Sequence, residues 1–497
     1  MRADLLGDAR DAPTLPGDEH DQVRLALNPR AMAAYLQEAI GSPVRHVGAG
    51  TGAHPTGPRG PHAWPCYILD VKYEPGEYCT VLYRLGERLV VGTLRWPDTG
   101  QAVPETARII HPLRMRVYTF DQDPALPGLR VVLDSRALAQ ALSSALPECR
   151  SGAGAHRLLR CRATPLRYRP SKRCSLRLDV WLRDARTGDF VSRTLFAKVY
   201  QRLDKAASVY REMQMLYEAA PARDGRVRFA EPVAFLPDLR VVVQGAVDGM
   251  PLEPYLSGLG KGLAHPDLRV WEGVVRSASA LAAVHVAGLT TDRERPIAAE
   301  LRRFVKRAAQ AVTADPVVGQ PLARLAGALP KWYDELGQRH AEVSLIHGDC
   351  KPSQFLITAD GAGILDFDHC GMADPASDVG TYLATLRQLG VRQSLKAGNG
   401  AAAQTLKEWL RALEDCFLDE YCAASNRSGD LRLRAAWYEA VALMRKALRS
   451  FSRSPRSPLV GALVEEAWSC LAALPEPEYE VRGSKLEVQT PGSTTLD

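Results

Sequence analysis

The chain has 497 residues, of which 46% are hydrophobic, and a formal net charge of +6. This size and apolar content predict two to four packed domains, and the small net charge argues against an extended nucleic-acid-binding surface. The chain has no apolar run of about eighteen residues, no signal pattern at its start and no Cys-x-x-Cys pair, so we expect a cytoplasmic protein without a membrane span, zinc site or disulfide framework.

Two segments in the first half of the chain resemble each other. Each begins with a capped amphipathic helix, at Asn28 and at Asp134, and continues into a hairpin pattern in which tyrosine, proline and cysteine recur in register (Tyr73 and Tyr168, Pro75 and Pro170, Cys79 and Cys174). In the same alignment Thr93 falls opposite Lys198. We predict a duplicated helix-plus-sheet unit, the alternative being chance similarity between two hairpins.

Around the second copy, apolar and β-branched residues predict strands. Residues 166–180 form two strands joined at Pro170-Ser171-Lys172, residues 194–200 form another, and residues 240–244 form the last. Between them, helical spacing of apolar residues from Asp204 to Tyr217 predicts a helix with Asp204 as its N-cap.

Beyond Asp248 the apolar residues follow helical spacing in most segments. Helices are predicted for residues 271–286, 298–312, 322–340, 404–423 and 431–449. The densest basic run, Arg445 to Arg456, is expected to cap a helix end and a turn, with nucleic-acid binding as the alternative. Both ends of the chain are polar and aperiodic, which predicts disorder.

The segment from Leu345 to Asp368 contains the candidate catalytic and metal-binding residues. Asp349 follows one short apolar strand and Asp366 ends another, and the Asp360-Gly361 pair between the strands predicts a tight hairpin. That hairpin brings Gln354 beside Asp366 and near Asp349. The alternative is that both aspartates merely cap turns.

These residue types suit phosphoryl transfer, which requires positioning and charge neutralisation more than covalent help. Carboxylate and amide oxygens are ligands that Mg²⁺ accepts, so Asp366 and Gln354 are candidate metal ligands. Asp349 is the candidate base for an acceptor hydroxyl.

His347-Gly348-Asp349, Gln354 and Asp366-Phe367-Asp368 resemble the catalytic and metal loops of the aminoglycoside phosphotransferase and choline kinase family. The family usually has asparagine at the position of Gln354, where the maltokinase branch is similar to this chain. The resemblance implies an α+β, bilobal protein-kinase-like fold with an antiparallel-sheet small lobe and a mostly helical large lobe. It also implies ATP and Mg²⁺ as cofactors.

The resemblance implies further roles. Lys198 would bind the α and β phosphates, held by Glu212. The turn at Ser171, Lys172 and Arg173 would contact phosphate, and the main chain of Gln244, Gly245 and Ala246 would face adenine. Asp368 would assist the second metal or the acceptor. Asp374, Asp378 and His285 would be structural.

The resulting domain division places disordered tails at residues 1–24 and 475–497. Residues 25–130 form a degenerate cap-like copy of the small lobe, residues 131–247 the small lobe and residues 248–474 the large lobe. Since the first copy has Thr93 in place of the lysine, it is not expected to bind phosphate.

The predicted function is phosphorylation of a hydroxyl group on a small molecule, without nucleic-acid or membrane partners. Acids on the later helices would attract a cationic acceptor (Glu408, Glu414, Asp415, Asp419, Glu420 and Glu439), although they are also ordinary surface residues. A sugar-like alcohol is equally compatible. Two alternatives are a nucleotide-binding pseudokinase and a protein kinase; the missing glycine-rich loop argues against the latter.

Overall fold

The computed structural model describes residues 18–41, 64–96, 105–149, 156–219, 224–259, 267–336, 342–397, 401–427 and 430–475. Their architecture is α+β, with two antiparallel five-stranded sheets followed by a mostly helical region. Within these residues, no helix is both long and apolar enough to cross a membrane.

The first unit packs two helices against a five-stranded sheet. Its elements are α1 (Asp18–Ala26), α2 (Pro29–Ile40), β1 (Cys66–Glu74), β2 (Tyr78–Leu85), β3 (Arg88–Arg95), β4 (Arg108–Ile110) and β5 (Met115–Thr119), with the strand order β1-β2-β3-β5-β4. The Asn28 side chain accepts hydrogen bonds from the amides of Arg30 and Ala31, which fixes the start of α2.

The second unit repeats this plan. Its elements are α3 (Gly128–Leu133), α4 (Ser135–Ala145), β6 (His156–Arg169), β7 (Arg173–Asp184), β8 (Phe190–Tyr200), α5 (Leu203–Glu218), β9 (Val227–Arg228), β10 (Pro232–Leu236) and β11 (Val241–Gly245). Its sheet has the order β10-β11-β8-β7-β6. Asp134 caps α4 as Asn28 caps α2.

The two sheets correspond strand by strand. Each is a three-stranded meander whose last strand pairs with the second arm of a further hairpin, and that hairpin turns through a 3₁₀ segment ending in a left-handed arginine (Arg114, φ 51°; Arg240, φ 54°). Tyr73 faces Cys79 just as Tyr168 faces Cys174. Thr93 therefore occupies the register position of Lys198.

The remaining chain is mostly helical and has the largest apolar core. Its elements are β12 (Met250–Pro251), α6 (Leu252–Gly258), α7 (Leu268–His285), α8 (Ile297–Ala314), α9 (Pro316–Leu336), β13 (Ser344–Ile346), β14 (Phe355–Ile357), β15 (Ala362–Ile364), β16 (Gly371–Ala373), α10 (Ala376–Ala397), α11 (Ala401–Ser425), α12 (Asp430–Phe451) and α13 (Pro458–Ala472). Two short sheets carry the loops of the site.

The first unit contacts both other parts of the molecule. The Asp123 carboxylate accepts hydrogen bonds from the Ser171 amide at 2.8 Å and the Tyr168 hydroxyl at 2.6 Å. At the other end of the unit, Glu74 accepts a hydrogen bond from Arg307 of α8 at 3.2 Å. The first unit therefore spans from the β6–β7 turn to the helical region.

The structure corrects three sequence-based expectations about elements. Helix α1 begins at Asp18, inside the tail predicted to be disordered up to residue 24, because Val23 and Ala26 are buried in the core of the first unit. Helix α9 begins at Pro316, ahead of the predicted start at residue 322. Asp204 lies within the first turn of α5 and does not cap it. Residues 1–17 and 476–497 lie outside the described residues.

Candidate functional site

The predicted hairpin forms and carries the candidate metal ligands. β14 pairs with β15 in antiparallel register, Phe355 opposite Ile364, and the Leu365 amide donates to the Gln354 carbonyl at 2.9 Å. Asp366 directly follows this bond and adopts a left-handed backbone conformation, φ 65°. The chain therefore turns sharply at Asp366 and places Gln354 and Asp366 at the same end of the hairpin.

Five side chains, three from the second sheet and two from the segment that follows the hairpin, meet at one point. The Lys198 Nζ donates to Asp366 Oδ1 at 2.7 Å and to Asp368 Oδ1 at 2.6 Å. Arg173 binds both carboxylates, with 3.2 Å to Asp366 Oδ1. The Tyr200 hydroxyl donates to Asp368 at 3.0 Å.

The strand register explains why these groups share a face. Arg173 is the cross-strand partner of Tyr200, and Ser175 is the partner of Lys198. Residues two apart on a strand point to the same side, so Lys198 and Tyr200 face the hairpin together with Arg173. The sheet therefore places two cationic side chains and the Tyr200 hydroxyl against the two carboxylates.

The buried carboxylate of Asp378 holds the loop that bears Asp349. Asp378 accepts hydrogen bonds from the amides of His347 and Gly348, the latter at 2.8 Å, and contacts His285 Nε2 at 3.2 Å. The expected structural roles of Asp378 and His285 agree with these contacts. Gly348 has φ 76°, and a Cβ there would lie 2.2 Å from the His369 carbonyl, so only glycine fits.

Asp349 is half-buried and forms an ion pair with Lys351. Burial favours the protonated acid, but the charge and hydrogen bond of Lys351, together with nearby His347, hold the pKa of Asp349 below its ordinary value. His347 donates from Nε2 to the Leu365 carbonyl at 2.7 Å and accepts at Nδ1 from the Asp349 amide. The carboxylate is therefore ionised at neutral pH and fixed beside the hairpin.

The donor set near Asp366 fits Mg²⁺. Although burial opposes ionisation, Lys198 and Arg173 hold the pKa of Asp366 far below its ordinary value, so the side chain is a carboxylate. Asp368 is buried and Gln354 supplies an amide oxygen. Magnesium usually takes one or two protein carboxylates and completes its shell with phosphate and water, so these three residues suffice.

The expected Lys198–Glu212 ion pair is not formed in this structure. Glu212 is buried on α5 and binds Arg293 through both carboxylate oxygens at 3.1 Å. It also contacts Ser208 and the Cys370 thiol. Lys198 instead reaches the two aspartates, because the hairpin supplies a closer pair of charges than α5 does.

The β6–β7 turn differs from the expected phosphate-binding loop. The Ser171 amide donates a hydrogen bond to the Asp123 carboxylate, and the Lys172 amide donates to the Arg169 carbonyl at 3.0 Å. The Lys172 side chain is exposed. Of the three residues predicted there, only Arg173 reaches the site.

The predicted hinge, Gln244 to Ala246, overlaps the end of β11. Gln244 and Gly245 are within the strand, and the Gly245 amide donates to the Glu231 carbonyl at 2.9 Å. Ala246 is exposed directly beyond the strand. A contact of this segment with adenine remains a prediction.

Sequence reasoning missed several residues around Asp368. Lys205 and Arg293 contact its carbonyl, and Arg295 contacts the carbonyl of His369. Burial lowers the pKa of His369 to about 4, helped by the charge of Arg295, so this imidazole is neutral at pH 7. The loop containing Arg293 and Arg295 has no motif that reveals this contact. Tyr200 was also missed, although strand alternation with Lys198 could have indicated it.

Four of the six acids proposed to attract a cationic acceptor are engaged with their own surroundings. Glu414 and Glu439 bind Arg387, at 3.2 and 2.6 Å, within the helical core. Glu420 contacts Ser279, and Asp419 contacts Arg432. These four carboxylates are therefore paired with neighbouring protein groups.

Comparison with known sequences agrees with this geometry. Residues 177–413 match the model of a phosphotransferase enzyme family. This segment is similar in sequence to that family. It contains Lys198, Asp349 and Asp366, so the three groups that meet in the site all lie within the matched range. A search of curated proteins finds no significant match to the chain.

Several solved structures resemble this chain in overall shape. A glucosamine kinase has TM-score 0.44 and 14% identity, covering 83% of this chain and 92% of its own. A choline/ethanolamine kinase family protein from Mesorhizobium loti has TM-score 0.40 and 16% identity, covering 68% and 93%. Choline kinase from Cryptosporidium parvum has TM-score 0.40 and 10% identity, covering 68% and 94%. The assignment rests on the sequence match and the site, since these scores are low.

Proposed function

We propose that the protein is an ATP- and Mg²⁺-dependent kinase that phosphorylates a hydroxyl group of a small molecule. The observation that carries this proposal is the position of Lys198, whose ammonium group bridges Asp366 and Asp368 beside the loop that holds Asp349. Cations and carboxylates in such an arrangement are suited to neutralising a nucleotide triphosphate and its metal. Use of ATP would place the activity in the cytoplasm.

In this mechanism Lys198 and Arg173 bind phosphate oxygens of the nucleotide. Asp366, Asp368 and Gln354 would hold Mg²⁺, which neutralises charge on the transferring phosphoryl group. Asp349 accepts a hydrogen bond from the acceptor hydroxyl and takes its proton during transfer. Glu212 acts at a distance by fixing Arg293 against the Asp368 carbonyl, and the chain after Gly245 would receive adenine.

We also propose the domain division suggested by the sequence, with borders near residues 130 and 247. In this division the first unit is a copy of the small lobe that has lost the nucleotide chemistry. Its support is the identical strand order of the two sheets and the presence of Thr93 at the register of Lys198.

The decisive experiment measures ATP consumption by the full chain with Mg²⁺ across a broad panel of hydroxyl compounds. We expect Asp349→Asn to lower kcat by about 10²–10⁴-fold, the range for loss of a general base. Asp366→Asn should also weaken the dependence on Mg²⁺. Asp415→Asn, an exposed change on α11, is the matched control and should retain activity.

A different result would favour the pseudokinase alternative. If wild type and Asp349→Asn consume ATP at the same negligible rate with every compound, while Mg·ATP still raises Tm, the protein binds nucleotide without transferring phosphate. Transfer of label to protein in place of small molecules would favour a protein kinase.

A further inference from the structure

Apolar side chains join the first unit to the second unit. The Phe120 ring packs edge-on against the ring of Tyr168 on β6, with centroids 4.7 Å apart. Leu126, near the end of the first unit, is buried in the core of the second unit. Tyr168 also packs against a cluster of the first unit that consists of Leu82, Val91, Ala107 and Tyr118. Because apolar burial is not screened by salt, we expect the two units to move together as one body.

Polar side chains, in contrast, join the first unit to α8. The Glu77 carboxylate, in the turn between β1 and β2, accepts hydrogen bonds from Lys306 Nζ at 2.8 Å and from Gln310 Nε2 at 3.2 Å. Glu74, at the end of β1, accepts one from Arg307 Nε at 3.2 Å. The contact with α8 therefore includes two ion pairs and one hydrogen bond from a side-chain amide.

The residues that follow α12 add to this contact. The Tyr73 amide donates to the Ser452 carbonyl at 3.3 Å, and Asp70 lies 3.7 Å from Arg453. We call the contacts of β1 and the β1–β2 turn with α8 and with residues 452–453 the polar interface. The Lys306 side chain is 67% exposed and that of Arg453 is 55% exposed, so water reaches these charges. Among the described residues, no buried apolar cluster is shared by the first unit and the helical region.

The site contains another connection between the same parts of the molecule. Lys198 and Arg173 of the second unit bind Asp366 and Asp368 of the helical region, at 2.7 and 2.6 Å for the two bonds of Lys198. In the proposed function these cations bind phosphate and these carboxylates would hold Mg²⁺, so nucleotide binding replaces the direct contacts. The polar interface contains no residue of the site. It therefore stays available to hold the first and second units on the helical region while nucleotide is bound.

We propose that the polar interface is a reversible closure of the nucleotide cleft. The first and second units move together about the segment after Gly245, and the interface forms when the cleft closes and separates when nucleotide is exchanged. This inference rests on the proposed kinase function. Exposed ion pairs are individually weak and are screened by salt, so they separate and re-form readily. Closing motions of this kind set the rate of product release in many enzymes.

Exchanging the two charges of one ion pair tests the interface. Glu77→Lys places a cation beside Lys306, and Lys306→Glu places a carboxylate beside Glu77, so each single change replaces attraction by repulsion. We expect each to raise the dissociation rate of a fluorescent ATP analogue, measured with Mg²⁺ by stopped-flow fluorescence, about three- to tenfold. Combining both changes restores an ion pair and should return the rate toward that of wild type.

Glu87→Lys is the matched control. Glu87 is exposed in the β2–β3 turn of the same unit, outside the polar interface, so the same change of charge should leave the dissociation rate unchanged. The ratio of the rates of Glu77→Lys and wild type should fall toward one at high salt, because salt screens ion pairs. Equal rates in wild type and both single variants overturn the proposal, as does a double variant no closer to wild type than the single variants.

Small-angle X-ray scattering gives a readout that does not depend on activity. With Mg²⁺ and a saturating non-hydrolysable ATP analogue, Glu77→Lys should have a larger radius of gyration than wild type, because its cleft is open for more of the time. The double variant and Glu87→Lys should have the radius of wild type. Identical radii in all four proteins count against the closure.

A thermal shift separates this inference from the kinase proposal. If Mg²⁺ and ATP raise the Tm of wild type while the rates and radii of the variants equal those of wild type, only the closure is overturned. If Mg²⁺ and ATP leave the Tm unchanged and the fluorescent analogue does not bind, the proposed kinase function fails and the closure fails with it.

Discussion

At the scale of single residues, the protonation of Asp349 is set by its neighbour two positions along the chain. Lys351 forms an ion pair with Asp349 on the catalytic loop, and this charge opposes the effect of burial. A base must be ionised to accept a proton from the acceptor, so Lys351 keeps Asp349 competent in mildly acidic solution.

Lys351→Met tests this role. Removing the cation should raise the pKa of Asp349 toward its ordinary value, because burial raises this pKa and Lys351 is the group that opposes burial most. The acidic limb of the kcat/KM–pH profile should move to higher pH by about one unit, while Lys331→Met, far along the chain on α9, should leave it in place. An unmoved limb would show that another group sets the acidic limit.

At the scale of elements, the catalytic loop depends on the start of α10. Asp378, in the first turn of that helix, binds the amides of His347 and Gly348 and contacts His285 of α7. One buried carboxylate thus joins two helices to the loop after β13. The loop geometry follows from this connection rather than from its own sequence.

Asp378→Asn should lower the free energy of unfolding by about 3 kcal/mol, the cost of breaking a buried charged network. Burial raises the pKa of Asp378, but His285 and the loop amides outweigh it and hold the pKa below its ordinary value. Its stabilising effect is therefore present at neutral pH and declines below about pH 4.

Urea denaturation at pH 7 and pH 3 measures this effect, with Asp238→Asn, an exposed change in a 3₁₀ turn, as the control. The difference between wild type and Asp378→Asn should narrow on acidification. A difference that is independent of pH would mean that side-chain packing, and not charge, explains the loss.

At the scale of the whole molecule, residues of the first unit hold the β6–β7 turn of the second unit by hydrogen bonds. Asp123 accepts from the Ser171 amide and the Tyr168 hydroxyl, and Tyr118 is hydrogen-bonded to the Ser171 hydroxyl at 2.8 Å. Arg173 begins β7 directly after this turn. The first unit therefore positions a cation of the site without contacting the site itself.

Asp123→Asn should loosen this turn and raise KM for ATP about three- to tenfold, as expected for the loss of one or two hydrogen bonds to a carboxylate. KM for the acceptor should change little, because the loop that bears Asp349 is held by Asp378 and not by the β6–β7 turn. Steady-state kinetics with Asp121→Asn, an exposed neighbour, as control checks this. An equal change in both KM values would indicate general destabilisation of the fold.

The sequence by itself determined what depends on contiguous residues. The β14–β15 hairpin followed from the Asp360-Gly361 turn between apolar strands, and the helices followed from apolar spacing, because turn and helix geometry repeat over a few residues. The carboxylates of the site could be named for the same reason. The duplicated sheet was visible as recurring tyrosine, proline and cysteine.

Only the tertiary structure decided which distant charges meet. Glu212 binds Arg293 and not Lys198, and the Ser171 amide binds Asp123. Each of these pairs is far apart in sequence, and an ionic contact leaves no periodic pattern that would reveal its partner. Charge complementarity is therefore settled by packing.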